Sequence, residues 1–157
     1  MKQNIIYLPC IPLVKLYLIS TYGPEPIKAN RSNDLGILLE SFSGKQKEEV
    51  YLLPSTNMQD LEFTEAIAIE LPRRIFERTC SIAAMVRING WVKKRFKVEM
   101  FRFVEGMLWN SSITTARALE TFLKKEGIAD KVYSLETAKR EWTRYQKRNY
   151  QTDKKRA

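Results

Sequence analysis

Five lysine and arginine side chains crowd the segment LETAKREWTRYQKRNY, which runs from Leu135 to Tyr150. Only Glu136 and Glu141 oppose these positive charges within the segment. Such an excess of cations suits the neutralisation of phosphates on a polyanion, which releases bound counterions. A helix of this kind could lie in a major groove and reach phosphates and base edges. The candidate nucleic-acid-binding residues here are Lys139, Arg140, Arg144, Lys147 and Arg148.

A second block of positive charge, VKKRFK, lies earlier in the chain. Its four cations are Lys93, Lys94, Arg95 and Lys97, and Arg87 and Arg102 extend the block. Two interpretations fit it: a helix face that only keeps the protein soluble, or a stripe that binds phosphates without regard to sequence. Because two separate basic segments occur in one chain, we favour phosphate binding and add these four cations to the candidate nucleic-acid-binding residues.

The residues that common catalytic sites require are missing or badly placed. No histidine occurs, which excludes Ser-His-Asp and Cys-His catalysis and histidine-ligated zinc. The segment SFSGKQ is not a phosphate-binding loop, because Leu39 stands where that motif needs glycine and Gln46 where it needs serine or threonine. Asp60, Glu62 and Glu65 make a poor magnesium site, since the two glutamates have opposite parity on a strand. We predict that the protein is not an enzyme and has no metal or cofactor.

The cysteines and the N-terminal segment bear on the cellular compartment. Cys10 and Cys80 show no CxxC spacing and no disulfide framework, which is typical of a reducing cytoplasm. The apolar stretch in MKQNIIYLPCIPLVKLYLIS is interrupted by Pro9, Pro12 and Lys15, so we expect no signal peptide. No run approaches the roughly 18 consecutive apolar residues of a membrane span. The expected location is the cytoplasm, without membrane association.

The elements that must position the basic segments are best defined near the C-terminus. Ser111 or Ser112 can cap a helix that ends at Gly127. Ser134 can cap the next helix, whose inner stripe is Leu135, Ala138, Trp142 and Tyr145. Seven residues separate the predicted helices, from Gly127 to Tyr133, whereas a helix-turn-helix motif uses three or four. The pattern therefore predicts a helix–loop–helix, with the Trp142 ring in the core.

The segment from Met85 to Met107 fits two structures. Its apolar residues recur at helical spacing, which favours one long helix carrying the VKKRFK block. However, Asn89-Gly90 stands between apolar residues in VRINGWV, and this dipeptide is the strongest short-range hairpin signal. We favour the long helix because its period holds over more residues.

The first half of the chain alternates short strands and helices. Ile5–Leu8 is a predicted strand, Pro12 opens a helix that ends near Gly23, and GPEPIKANRS is a predicted loop. Asn33 or Ser32 then caps a helix closed by Gly44. A strand in LEFTEAIAIELP is predicted to pair antiparallel with Val50–Leu53, and PRRIFERT to form a short helix. The predicted class is α+β, mainly helical with a small antiparallel sheet and a C-terminal helix–loop–helix.

Length and charge set the expected domain organisation. At 157 residues with 44% hydrophobic content, the chain can bury the core of one domain. The net charge of +9 divides into −3 for residues 1–72, +7 for residues 73–102 and +5 for residues 103–157. We predict one domain over 1–150, with an acidic sheet and helix part (1–72), a basic long helix (73–110) and a basic helix pair (111–150), followed by a basic tail (151–157).

The order LEFTEAIAIELPRRIF, INGWVKKRFKVEMFRFV and ALETFLKKEGIADKVYSLETAKREWTRY resembles small proteins carried by prophages and mobile elements of Bacteroides-type bacteria. The resemblance implies a phage or mobile-element context and supplies no catalytic residue. The function expected on these grounds is DNA binding, as a regulator or accessory protein. The alternative is an adaptor or structural protein of a phage particle that docks an acidic partner, and a metal-dependent nuclease is a distant third. A protein partner or a homo-oligomer stays open.

Overall fold

The computed structural model describes residues 4–42, 63–73 and 82–154. Eight elements lie in these ranges: β1 (Ile5–Cys10), α1 (Pro12–Tyr22), β2 (Ile27–Lys28), α2 (Asp34–Phe42), β3 (Glu65–Glu70), α3 (Ile82–Asn110), α4 (Thr115–Lys125) and α5 (Leu135–Lys154). The predicted α+β class with mainly helical content is confirmed. The predicted strand at Val50–Leu53, nearly all of the PRRIFERT helix, the glycine at position 44 and the tail beyond residue 154 lie outside the described residues.

The three described strands form a mixed sheet in the order β1-β3-β2. β1 runs antiparallel to β3, from Ile5 opposite Glu70 to Cys10 opposite Glu65, whereas β2 pairs with β3 in parallel. The prediction that GPEPIKANRS is only a loop is wrong, because β2 falls inside it. Ile27 is fully buried and sits opposite Ile69, so the tertiary pairing gives strand geometry to a segment that its prolines mark as a turn.

The chain divides into two compact units, an N-terminal unit (Met1–Lys93) and a C-terminal unit (Lys94–Ala157). The sheet, α1, α2 and the first part of α3 belong to the N-terminal unit. Its buried side chains include Leu8, Val14, Tyr17, Leu35, Ile67, Ile69 and Ile88. The C-terminal unit holds the rest of α3 with α4 and α5, and buries Phe96, Met100, Val104, Leu119, Phe122 and Ala138.

Local signals fix the ends of the first two helices. Pro12 occupies the first turn of α1, where its missing N–H costs nothing. Gly23 follows the helix with a φ of +96°, and its N–H donates to the Ile19 carbonyl at 2.9 Å. At α2, the Asn33 side-chain oxygen accepts from the Gly36 N–H at 2.8 Å, which confirms one of the two predicted caps.

α3 is one continuous helix of 29 residues, which confirms the long-helix prediction and rejects the hairpin at Asn89-Gly90. The Asn89 side chain is buried and serves as a bridge between segments. Its amide nitrogen donates to the Pro9 carbonyl at 3.0 Å and to the Met85 carbonyl at 2.9 Å. Its oxygen accepts from the Ile11 N–H at 3.3 Å, at the start of α1. The asparagine thus ties α3 to the link between β1 and α1.

The predicted cap of α4 is wrong, and the caps around the following loop are confirmed. α4 begins after Thr114, whose hydroxyl accepts from the Arg117 N–H at 3.3 Å. Ser111 instead donates to the Met107 carbonyl at 2.6 Å and so belongs to the end of α3. Gly127, with a φ of +64°, closes α4 in a Schellman arrangement, and the Ser134 hydroxyl caps α5 by accepting from Thr137 at 3.2 Å.

Candidate nucleic-acid interface

The inner face of α5 is a core surface. Trp142 is only 5% exposed, which confirms the burial predicted from its stripe. Its ring lies 6.0 Å from the Phe101 ring of α3, and the Tyr145 ring stacks on Phe101 at 4.4 Å. The Tyr145 hydroxyl donates to the Glu105 carboxylate at 2.8 Å, and this bond raises the pKa of the tyrosine. These aromatic rings are therefore anchors of the C-terminal unit.

The outer face of α5 carries exposed positive charge. A helix advances 100° per residue, so Arg140, Arg144, Lys147 and Arg148 fall within an arc of about 100° on the side opposite Trp142. All four are exposed. We call these four residues the outer basic stripe. All four residues are among the five residues of this helix that the sequence pattern predicts to contact phosphates.

Glu141 joins the two basic segments that the sequence shows separately. One of its carboxylate oxygens lies 3.1 Å from Lys97 Nζ of α3, and the other lies 3.3 Å from Arg144 Nη1. The VKKRFK block and α5 therefore meet within the C-terminal unit. Lys97 is consequently less available to a ligand than its sequence suggests, because it already has a carboxylate partner.

Two more of the nine candidates form local ion pairs. Arg95 pairs with Glu99 one turn along α3 at 2.8 Å, and Lys139 pairs with Glu136 at 2.8 Å. The hydrogen bond from Lys139 lowers the pKa of Glu136. Surface pairs of this kind contribute about 0–1 kcal/mol, so a polyanion can compete for these cations.

Four candidates form no ion pair with any residue that the structure describes: Lys93, Lys94, Arg140 and Lys147. All four are exposed. Lys93 is the last residue of the N-terminal unit, and the other eight candidates belong to the C-terminal unit.

The two units differ in net charge. The C-terminal unit contains sixteen Lys and Arg against eight Asp and Glu, a net charge of +8. The N-terminal unit contains eleven against ten, a net charge of +1. Nearly all of the excess charge therefore belongs to the unit that carries the outer basic stripe, and a polyanion would be attracted to that unit.

Sequence reasoning missed one surface residue, Trp109. Its side chain is 89% exposed near the end of α3. The helical spacing of Lys94, Val98, Arg102 and Trp109 places them on one face, and this spacing is the signal that could have indicated the residue.

Three further observations concern the buried thiol, metal ligands and membrane spans. Cys10 is fully buried, and burial raises the pKa of its thiol to about 12, so the thiol is protonated at neutral pH. Within residues 4–42, 63–73 and 82–154, no group of three or more Cys, Asp and Glu side chains is placed to hold a metal ion. No helix in those same ranges is long and apolar enough to cross a membrane.

The sequence matches no protein-family model, and no match is found among curated proteins or solved structures. What the chain does must therefore follow from the charges, exposure and contacts of its own residues.

Proposed function

We propose that the protein binds DNA without catalysing a reaction on it, through the outer basic stripe of α5. The observation that carries the proposal is the exposure of four cations on one face of a helix whose opposite face is anchored by Trp142. Because the anchored face fixes the helix, the cations are presented on a rigid element. The basic block at Lys93, Lys94, Arg95 and Lys97 supplies further charge.

Like charges within the outer basic stripe repel one another. Arg140, Arg144 and Arg148 follow one another at four-residue intervals, where like charges repel by a few tenths of a kcal/mol per pair. Within the stripe, Arg144 is partly compensated by Glu141. Phosphates would remove the remaining repulsion and release counterions, which gives an affinity that falls steeply with salt.

The test is a triple variant, Arg140→Gln, Arg144→Gln and Arg148→Gln, titrated with a labelled random-sequence duplex over a series of salt concentrations. We expect weaker binding and a salt slope lower by up to about three units, since each phosphate contact contributes about 0.9. The free energy of unfolding should change little, because the three side chains are exposed.

A matched control removes the same charge elsewhere in the C-terminal unit. Arg117, Lys124 and Lys131 are also exposed, and none of them lies on α5. Their triple glutamine variant should keep most of the salt slope if binding is local to the stripe. Equal losses in both variants would show that only net charge matters. No binding of the unmodified protein at low salt would favour the adaptor that docks an acidic protein.

The biological setting that we propose is a regulator or accessory factor of a phage or mobile element, acting in the bacterial cytoplasm. The sequence resemblance supports the phage or mobile-element context, and the cysteine pattern supports the cytoplasm. The DNA-binding test does not depend on it.

A further inference from the structure

Trp109 is unusual among the three tryptophans of the chain. Trp142 is buried and Trp91 is half-buried, whereas Trp109 is 89% exposed. Within the described part of the chain, its ring stacks on no other aromatic ring. A single exposed apolar side chain is ordinary on a protein surface, so a binding role for the indole requires suitable neighbours on its helix face.

The indole shares a helix face with cations. Taking Lys94 as zero, Val98, Trp109 and Arg102 lie at about 40°, 60° and 80° around α3. Lys94 and Arg102 are exposed, and Val98 is 38% exposed. Arg102 and Trp109 are about 10 Å apart along the helix axis. This face therefore combines an accessible aromatic ring with positive charge on one side of it, and Glu105, at about 20° on the same face, already accepts a hydrogen bond from Tyr145.

The Trp109 face and the last arginine of the outer basic stripe lie at the same end of the packed helix pair. Lys97 contacts Glu141, and Glu105 contacts Tyr145, so α3 and α5 run in the same direction where they pack. Trp109 follows Glu105 by one turn, and Arg148 follows Tyr145 by about one turn. The indole and the last arginine of the stripe thus lie at the same end of this helix pair.

We propose that Trp109 stacks on an unpaired base, so that the protein prefers single-stranded DNA over duplex. This rests on the proposed function, because the cations must hold the backbone while the ring takes the base. A cationic face alone would accept any polyanion, and the bases of a duplex are stacked on one another. An exposed indole beside cations is the combination that sequence-tolerant single-strand binders use.

The test compares labelled oligo-dT with a duplex of the same length, using the unmodified protein, Trp109→Ala and Trp109→Phe. Trp109→Ala should lose about 5- to 150-fold in single-strand affinity, the range for one base–aromatic stack. Its duplex affinity and its salt slope should stay the same, because no charge is removed. Trp109→Phe should recover most of the single-strand affinity. As a charge counterpart, Lys94→Gln with Arg102→Gln should lower the single-strand salt slope by up to about 1.4 units.

The outcomes separate the two proposals. Duplex binding that persists while Trp109→Ala leaves the single-strand affinity unchanged would overturn the stacking role alone. Failure of the unmodified protein to bind either oligonucleotide at low salt would overturn the proposed function together with it. If Trp109→Ala weakened binding to anionic phosphatidylserine vesicles and not to oligo-dT, the ring would be a membrane anchor and the proposal would be wrong.

Discussion

The bridge made by Asn89 gives the sharpest prediction about stability. Asn89→Leu keeps a side chain of similar size but removes both the donor and the acceptor. The Ile11 N–H and the Pro9 carbonyl would then lose a partner in a partly buried position. An unsatisfied buried group costs about 1–3 kcal/mol, and leucine regains a few tenths through its better helix propensity. We expect a loss of about 2–4 kcal/mol in the free energy of unfolding.

The assay is urea unfolding followed by circular dichroism, with the same substitution at Asn110 as the control. Asn110 is exposed on the same helix, and its amide only donates to the Gly106 carbonyl at 2.8 Å. Asn110→Leu should therefore stay within about 0.5 kcal/mol of the unmodified protein. Equal midpoints for Asn89→Leu and the unmodified protein would refute the reasoning that this amide holds α1 and β1 against α3.

A charged replacement at the same position adds a dependence on pH. In Asn89→Asp, an ionised carboxylate would face the Pro9 and Met85 carbonyls, whereas the protonated form can donate to one of them. The pKa of this carboxyl should therefore be raised in the folded state. Between the unfolded pKa of about 4 and the raised folded pKa, the folded variant binds more protons than the unfolded chain, so its stability should increase relative to the unmodified protein as pH falls from 7 through the folded pKa towards the unfolded value. Urea midpoints at pH 7 and pH 5 measure this difference, and parallel changes in both proteins would contradict it.

Two further substitutions test packing. A Cβ at Gly36 would lie 2.0 Å from the Asn30 carbonyl oxygen, whereas a Cβ at Gly106 would meet nothing within 4 Å. Gly36→Ala should therefore destabilise by about 1–3 kcal/mol and Gly106→Ala should stabilise by about 0.5–1 kcal/mol, and urea midpoints moving in one direction would contradict this. Trp142→Ala should cost about 3–5 kcal/mol by removing a buried ring beside Phe101. An unchanged melting temperature with weaker DNA binding would show instead that Trp142 is a ligand contact.

Much of the local structure follows from residue type alone. Pro12 and Gly23 bound α1, Asn33 caps α2, and Ser134 caps α5, because each of these residues satisfies or removes an unpaired backbone group at a helix end. The period of α5 likewise separates the buried Trp142 from the charged outer face. Such features depend only on residues a few positions apart in the chain, so the local sequence is enough to predict them.

Other features of the fold depend on contacts between segments that are distant in the sequence. Asn89-Gly90 has the dipeptide of a tight turn, yet the Asn89 amide meets its partners 78 and 80 residues away and the helix continues through it. β2 becomes a strand because β3 offers it a parallel edge. Lys97 forms an ion pair with Glu141 of α5, a partner that the sequence pattern does not predict. Such contacts form only when the packed core brings distant segments together, so the local sequence pattern cannot predict them.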